Sequence, residues 1–81
     1  MATPRYPRQA IREAKEGRAV VCFIVEPSGA VRDPEVIEIS DEIFRNSTVV
    51  ALLRSSYRPW EGGAAPRPGC RSFVYELEAA F

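Results

Sequence analysis

The most reactive side chains in this sequence are two thiols, Cys22 and Cys70, standing 48 positions apart. That separation makes no Cys-x-x-Cys redox pair, and two sulfurs cannot supply a four-thiolate zinc site. It is compatible with one disulfide closing a long loop, without requiring one. Histidine is absent. Ser-His and Cys-His nucleophile pairs, a histidine base and histidine-ligated metals are therefore excluded. The chain has no Gly-rich phosphate loop and no His-Glu-x-x-His motif. Glu76 and Glu78 share one strand face, where water would solvate both. No catalytic residue, no metal ligand and no cofactor site is expected, so the chain does not read as an enzyme.

The elements that position these residues must fit into 81 residues, which is one small domain with one thin core. The hydrophobic share of 46 % and the charged share of 27 % are those of a folded protein. Eleven basic residues balance eleven acidic ones. Duplex-binding domains usually carry a basic excess, so no nucleic-acid partner is expected. No stretch approaches the ~18–20 apolar residues of a membrane span. Met1, Ala2, Thr3, Pro4 and Arg5 do not form a signal peptide, and the chain as written is expected to be soluble.

Pro7 suits the first position of a helix and Gly17 its stop, predicting a short helix over residues 7–16 with Ala10, Ile11 and Ala14 on one face. The run Ala19 to Val25 is apolar on both faces, which predicts a central, doubly covered strand over 19–26. Glu26-Pro27-Ser28-Gly29 is a turn, and a second strand follows over 31–39. Pro34 confines that strand to a sheet edge. Ser40 is the expected N-cap of a long helix over 41–56. Phe44, Thr48, Ala51, Leu52 and Ser55 share one face of that helix. Val49, Val50 and Leu53 lie off that stripe and read as further core, or as a contact with a second copy. Glycine and proline predict a loop over 60–70. The last strand, about 71–79, alternates Phe73, Tyr75 and Leu77 with Val74, Glu76 and Glu78. The expected fold is α+β: a three-stranded antiparallel sheet packed against one long helix, plus a short N-terminal helix, with strand one in the middle.

Pro4-x-Tyr6-Pro7, then Ala10, then Gly17 leading into the strand with Val21, Phe23 and Val25, form an ordered pattern. It continues through Gly29-x-Val31, Ser40, Ala51, Tyr57-x-Pro59 and the closing strand with Phe73, Tyr75 and Leu77. In order and spacing, over roughly residues 4–78, this resembles the C-terminal domain of TonB, the periplasmic energy transducer of Gram-negative bacteria. Members usually carry a tryptophan where this chain has Ser55, and here a tryptophan stands at Trp60 instead. Ala19 replaces a usual valine, and Asp33-Pro34-Glu35 lengthens the second strand and should bulge it. Cys22 lies on the face opposite the family's main core positions and reads as a small buried hydrophobe.

The resemblance implies a single TonB C-terminal-like domain over 1–81 that binds rather than catalyses. Such domains hold a short extended segment, the Ton box, of outer-membrane transporters. They transmit force from a proton-driven inner-membrane motor complex, to which an anchor helix and a Pro-rich spacer outside this chain would connect. Strand addition at the last strand would use an exposed row of backbone N–H and C=O groups. By position, the partner-binding residues implied are Arg71, Ser72, Phe73, Val74, Tyr75 and Glu76, with Arg5 and Tyr6 beside them. The side chains of Phe73, Tyr75 and Leu77 read as core, and Tyr6 reads equally as a packing residue. The periplasm is the implied location, and an open edge also permits a homodimer. The alternative is a stand-alone TonB-like or TolA-like adaptor that binds another protein by the same edge without transducing energy.

Overall fold

The computed structural model describes residues 4–61 and 65–77; positions 1–3 of the lead-in, 62–64 of the expected loop and 78–79 of the expected last strand lie outside them. Along the chain run helix α1 (Arg8–Arg12), strand β1 (Gly17–Val25), strand β2 (Val31–Ile39), a 3-10 turn (Glu42–Phe44), helix α2 (Arg45–Leu53) and strand β3 (Arg67–Tyr75). The three strands form one antiparallel sheet in the order β2-β1-β3, with the most apolar strand in the middle. The architecture is α+β, with α2 laid on one face of the sheet and α1 at its end.

β1 alternates strictly. Ala19, Val21, Phe23 and Val25 are buried, whereas Val20, Cys22 and Ile24 are only half-buried. The strand is central but covered on one face, which corrects the expectation of a doubly covered strand. The apolar residues of its second face gain shelter from strand neighbours rather than from a second layer. Opposite the buried face, α2 and the preceding turn supply Phe44, Thr48, Ala51, Leu52 and, just beyond the helix, Ser55, all buried. Burying Phe44, Leu52 and Val21 stabilises the fold by roughly 1.5–3 kcal/mol each. Val50 and Leu53 are exposed, so the reading that placed them in the core is corrected. Their side chains lie round the helix from the stripe that meets the sheet.

Both helices are shorter than expected. α1 stops at Arg12 because Ala14 turns into the left-handed region at φ 51°. The amide of Ala14 then donates to Ile11 O (3.1 Å) and that of Lys15 to Ala10 O (2.8 Å), a Schellman closure made without glycine. Of the expected face of α1, Ala10 is buried while Ile11 is exposed. Gly17 opens β1 instead of ending the helix. A Cβ there would overlap Ser40 Oγ and lie 2.7 Å from the Phe44 ring.

Ser40 is not the N-cap of the second helix. Its Oγ accepts from the amide of Arg18 (3.0 Å), and Asp41 caps the 3-10 turn by accepting from Ile43 N (3.0 Å). α2 proper begins only at Arg45.

Candidate functional site

The two outer strands of the sheet differ as edges. β2 meets β1 with register shifts between Val20 and Val21 and between Cys22 and Ile24; Asp33, within it, sits at φ 54°, and Pro34 follows. Such bulges twist an edge and interrupt its row of hydrogen-bonding groups. β3 instead pairs with β1 over nine successive positions, Gly17 opposite Tyr75 through Val25 opposite Arg67, without a shift.

The direction of each backbone group on β3 follows from alternation along an antiparallel pair. Arg18 exchanges both backbone groups with Ser40 on the β2 side: its carbonyl accepts from Ser40 N and its amide donates to Ser40 Oγ. Even-numbered residues of β1 therefore face β2, and odd-numbered ones face β3. Cys22 and Cys70 are directly opposed with Cα atoms 4.0 Å apart, the close spacing of a non-hydrogen-bonded pair. Hence Gly69, Arg71, Phe73 and Tyr75 direct their backbone groups to β1. Cys70, Ser72 and Val74 direct theirs outward, from the edge of the sheet. Pro68 belongs to the outward set, so its missing N–H removes no bond to β1.

The expected loop over 60–70 is thus corrected at its end, since residues 67–70 already belong to β3. The strand is held there by a disulfide between Cys22 and Cys70. Cys22 is accordingly half-buried and bridged rather than a buried free thiol.

The side chains named from the sequence divide into two groups. Phe73 and Tyr75 are 4 % and 2 % exposed and belong to the core. Tyr75 stacks on Phe44 with ring centroids 4.4 Å apart, and its hydroxyl shares a 2.8 Å hydrogen bond with Thr48 Oγ1. Burial pushes the Tyr75 phenol up, and the Thr48 contact partly offsets that. Tyr6 packs edge-on against Phe44 (6.0 Å) and Tyr75 (5.6 Å), and its hydroxyl donates to Lys15 O. It stands at the C-terminal end of β3 as a packing residue. Arg5 is exposed and borders a cleft of about 220 Å³ with Asn46, Ser47, Val50 and Arg54. Arg71 is half-buried with its guanidinium 4.9 Å from the Phe73 ring centroid. Ser72, Val74 and Glu76 are exposed; Val74 lies on the open sheet face, and Glu76 falls just past the strand's end.

Comparison with known proteins joins this geometry to a family. The family model described as the Gram-negative bacterial TonB protein C-terminal matches residues 2–77. The chain belongs to the TonB C-terminal family. It is also similar to the solution NMR structure of the Pseudomonas aeruginosa TonB C-terminal domain. That match has 26 % identity and a TM-score of 0.85, and covers 100 % of this chain and 85 % of the other. Comparison with curated proteins gives no match. Among the described residues, no helix is long and apolar enough to cross a membrane, and no group of three or more side chains is placed to hold a metal ion.

Within this TonB-family domain, one feature beside β3 escaped the sequence reading. The segment after α2 is tied to the β1–β2 turn: Tyr57 N donates to Gly29 O (2.9 Å) and Trp60 N to Pro27 O (3.0 Å). This holds Tyr57 against Phe23, with centroids 6.0 Å apart and ring planes 27° from parallel, and brings Trp60 against the same core. Between these rings and residues 67–70 lies an open cleft of about 490 Å³. Arg67 crosses it, with its guanidinium 4.6 Å from the Trp60 ring centroid. The one signal in the sequence was Trp60 itself, a large aromatic next to a run of glycine and proline.

Proposed function

We propose that this domain binds an extended segment, the Ton box of an outer-membrane transporter, by adding it to β3 as a fourth strand. In this reading it serves as the periplasmic end of an energy transducer that transmits force for active uptake. The inner-membrane motor complex would act through an anchor outside this chain. The observation that carries the reading is the unbroken outward row of Cys70, Ser72 and Val74, set against the bulged edge of β2. Backbone bonds to such a row give affinity that depends little on sequence, and side chains at alternate positions add selectivity. Family membership and the similarity to the Pseudomonas TonB domain support the same reading. The disulfide supports the location, because such bonds persist in oxidising compartments such as the bacterial periplasm.

The test is an NMR titration of the oxidised domain with a synthetic Ton-box peptide. The amides of Cys70, Ser72 and Val74 should shift and become protected from exchange, while those of β2 stay unchanged. If a panel of Ton-box peptides at millimolar concentration leaves these three amides unmoved, the transducer reading fails. The adaptor reading, with a different protein on the same edge, would then take its place.

A further inference from the structure

We propose that the cleft beside Gly69 reads the side chains of the strand that adds to β3, taking one apolar side chain with a carboxylate two positions away. The inference rests on strand addition at β3 and names what that strand must carry.

Gly69 points to the helix-covered face of the sheet, the face occupied by Arg71, Phe73 and Tyr75 further along β3. Having no side chain, it leaves only the rim of the otherwise buried Phe23 ring at the floor of the cleft: a Cβ at position 69 would already lie 3.1 Å from that ring. α2 ends at Leu53 and does not cover this end of the sheet, so Tyr57 and Trp60 form the far wall of the cleft. Neighbouring residues in paired strands point to the same face. A residue of an added strand opposite Gly69 would therefore project its side chain into a cleft walled by Phe23, Tyr57, Trp60 and Pro68. Its volume of about 490 Å³ is within the ~300–1,000 Å³ of small-molecule pockets and leaves ample room for one apolar side chain.

The charge comes from the same rim. Arg58 and Arg67 border the cleft, both are exposed, and neither forms an ion pair among the described residues. Arg67 lies with its guanidinium over Trp60, an arrangement that leaves the N–H groups at its edge able to donate to a carboxylate. Arg67 precedes Gly69 by two residues and shares its face. Since faces alternate with a period of two, the residue opposite Arg67 stands two positions from the residue opposite Gly69. The preferred occupant is thus an acidic residue and an apolar residue separated by one other.

Three ten-residue peptides test this, each with a core symmetric about its middle residue so that a parallel and an antiparallel strand present the same pattern: Glu-x-Val-x-Glu, Lys-x-Val-x-Lys and Glu-x-Gly-x-Glu, otherwise identical. Each is titrated into the oxidised domain and into Arg67→Glu. The edge is followed through the Ser72 and Val74 amides, and the cleft through the Trp60 indole and the Phe23 and Tyr57 rings. The Glu-x-Val-x-Glu peptide should move both sets and bind about tenfold more tightly than either of the others. Arg67→Glu should reverse the preference between the Glu and Lys peptides, and this recovery also shows that the variant is folded. If all three peptides move the edge amides with equal affinity and the cleft signals stay still, the cleft assignment is overturned while strand addition stands. If no peptide moves the edge amides, strand addition and the cleft assignment fall together.

Discussion

Gly29 and Tyr57 meet backbone to backbone: the Tyr57 amide donates to the Gly29 carbonyl at 2.9 Å, and a Cβ on Gly29 would overlap the Tyr57 carbonyl. Gly29 also stands at φ 91°, a region that side chains disfavour. Gly29→Ala should cost on the order of 2–4 kcal/mol from strain and overlap together. It should also loosen the Tyr57 and Trp60 wall. A denaturant titration followed by Trp60 fluorescence measures both effects, and a loss below about 0.5 kcal/mol would contradict the contact.

The outward direction of Ser72 makes a paired test possible. Ser72→Pro removes an N–H that faces away from β1, so the domain should lose no more than about 1 kcal/mol while peptide affinity falls at least tenfold. Arg71→Pro removes an N–H bonded to Val21 across the register and should cost on the order of 2–4 kcal/mol. Thermal melts and the peptide titration on both variants check the alternation. Equal destabilisation by the two prolines would contradict it.

Thr48 and Tyr75 give an asymmetric pair. Thr48 Oγ1 contacts both Phe44 O and the Tyr75 hydroxyl, each at 2.8 Å, so Tyr75→Phe leaves Thr48 with a partner. That change should cost about 1 kcal/mol. Thr48→Val strands the buried Tyr75 hydroxyl and should cost more, about 1–3 kcal/mol. The double variant should be more stable than the sum of the two losses implies, which a double-mutant cycle by urea unfolding measures.

Acid should destabilise the domain through named carboxylates. Asp41 is held below its usual value first by the Ile43 amide and then by Lys15, Glu42 by Arg45, and Glu13 first by Gln9 and then by Lys15. A carboxyl whose folded pKa is depressed stabilises the fold above its unfolded pKa, about 4, and loses that contribution as the pH falls through the folded one. Unfolding free energy should therefore decline below about pH 4. Asp41→Asn, which can still cap Ile43, should flatten that decline. An unchanged acid limb in this variant would remove Asp41 from the account.

How far the sequence could be read depended on whether a residue's role was local. The buried stripe Thr48, Ala51 and Leu52 was legible because helical period determines it, and Phe44 and Ser55 continue it from the turn before α2 and the residues just after. The central place of β1 was legible because no other strand is as apolar. The first half of β3 was not. Pro68 and Gly69 are loop residues by composition, yet one turns its nitrogen to the open edge and the other makes room for Phe23. Both reasons lie in a partner strand more than forty residues away. The end of α1 was misread because Ala14, not Gly17, takes the left-handed turn, while Gly17 is needed small against Phe44. The pairing of Cys22 with Cys70 depended on a register that no local pattern discloses.

That disulfide also sets how far the molecule can be stretched. A load applied between the lead-in and an occupied β3 edge enters the chain on either side of the 48-residue span that the bond closes. At ~3.4 Å per residue, about 160 Å of contour length is thereby withheld from extension. Oxidised, the domain can yield only by fraying its two ends, and its centre stays tethered even if the sheet opens. Reduced, the same pull could unravel the whole chain, so single-molecule stretching should lengthen by that amount when the bond is cut.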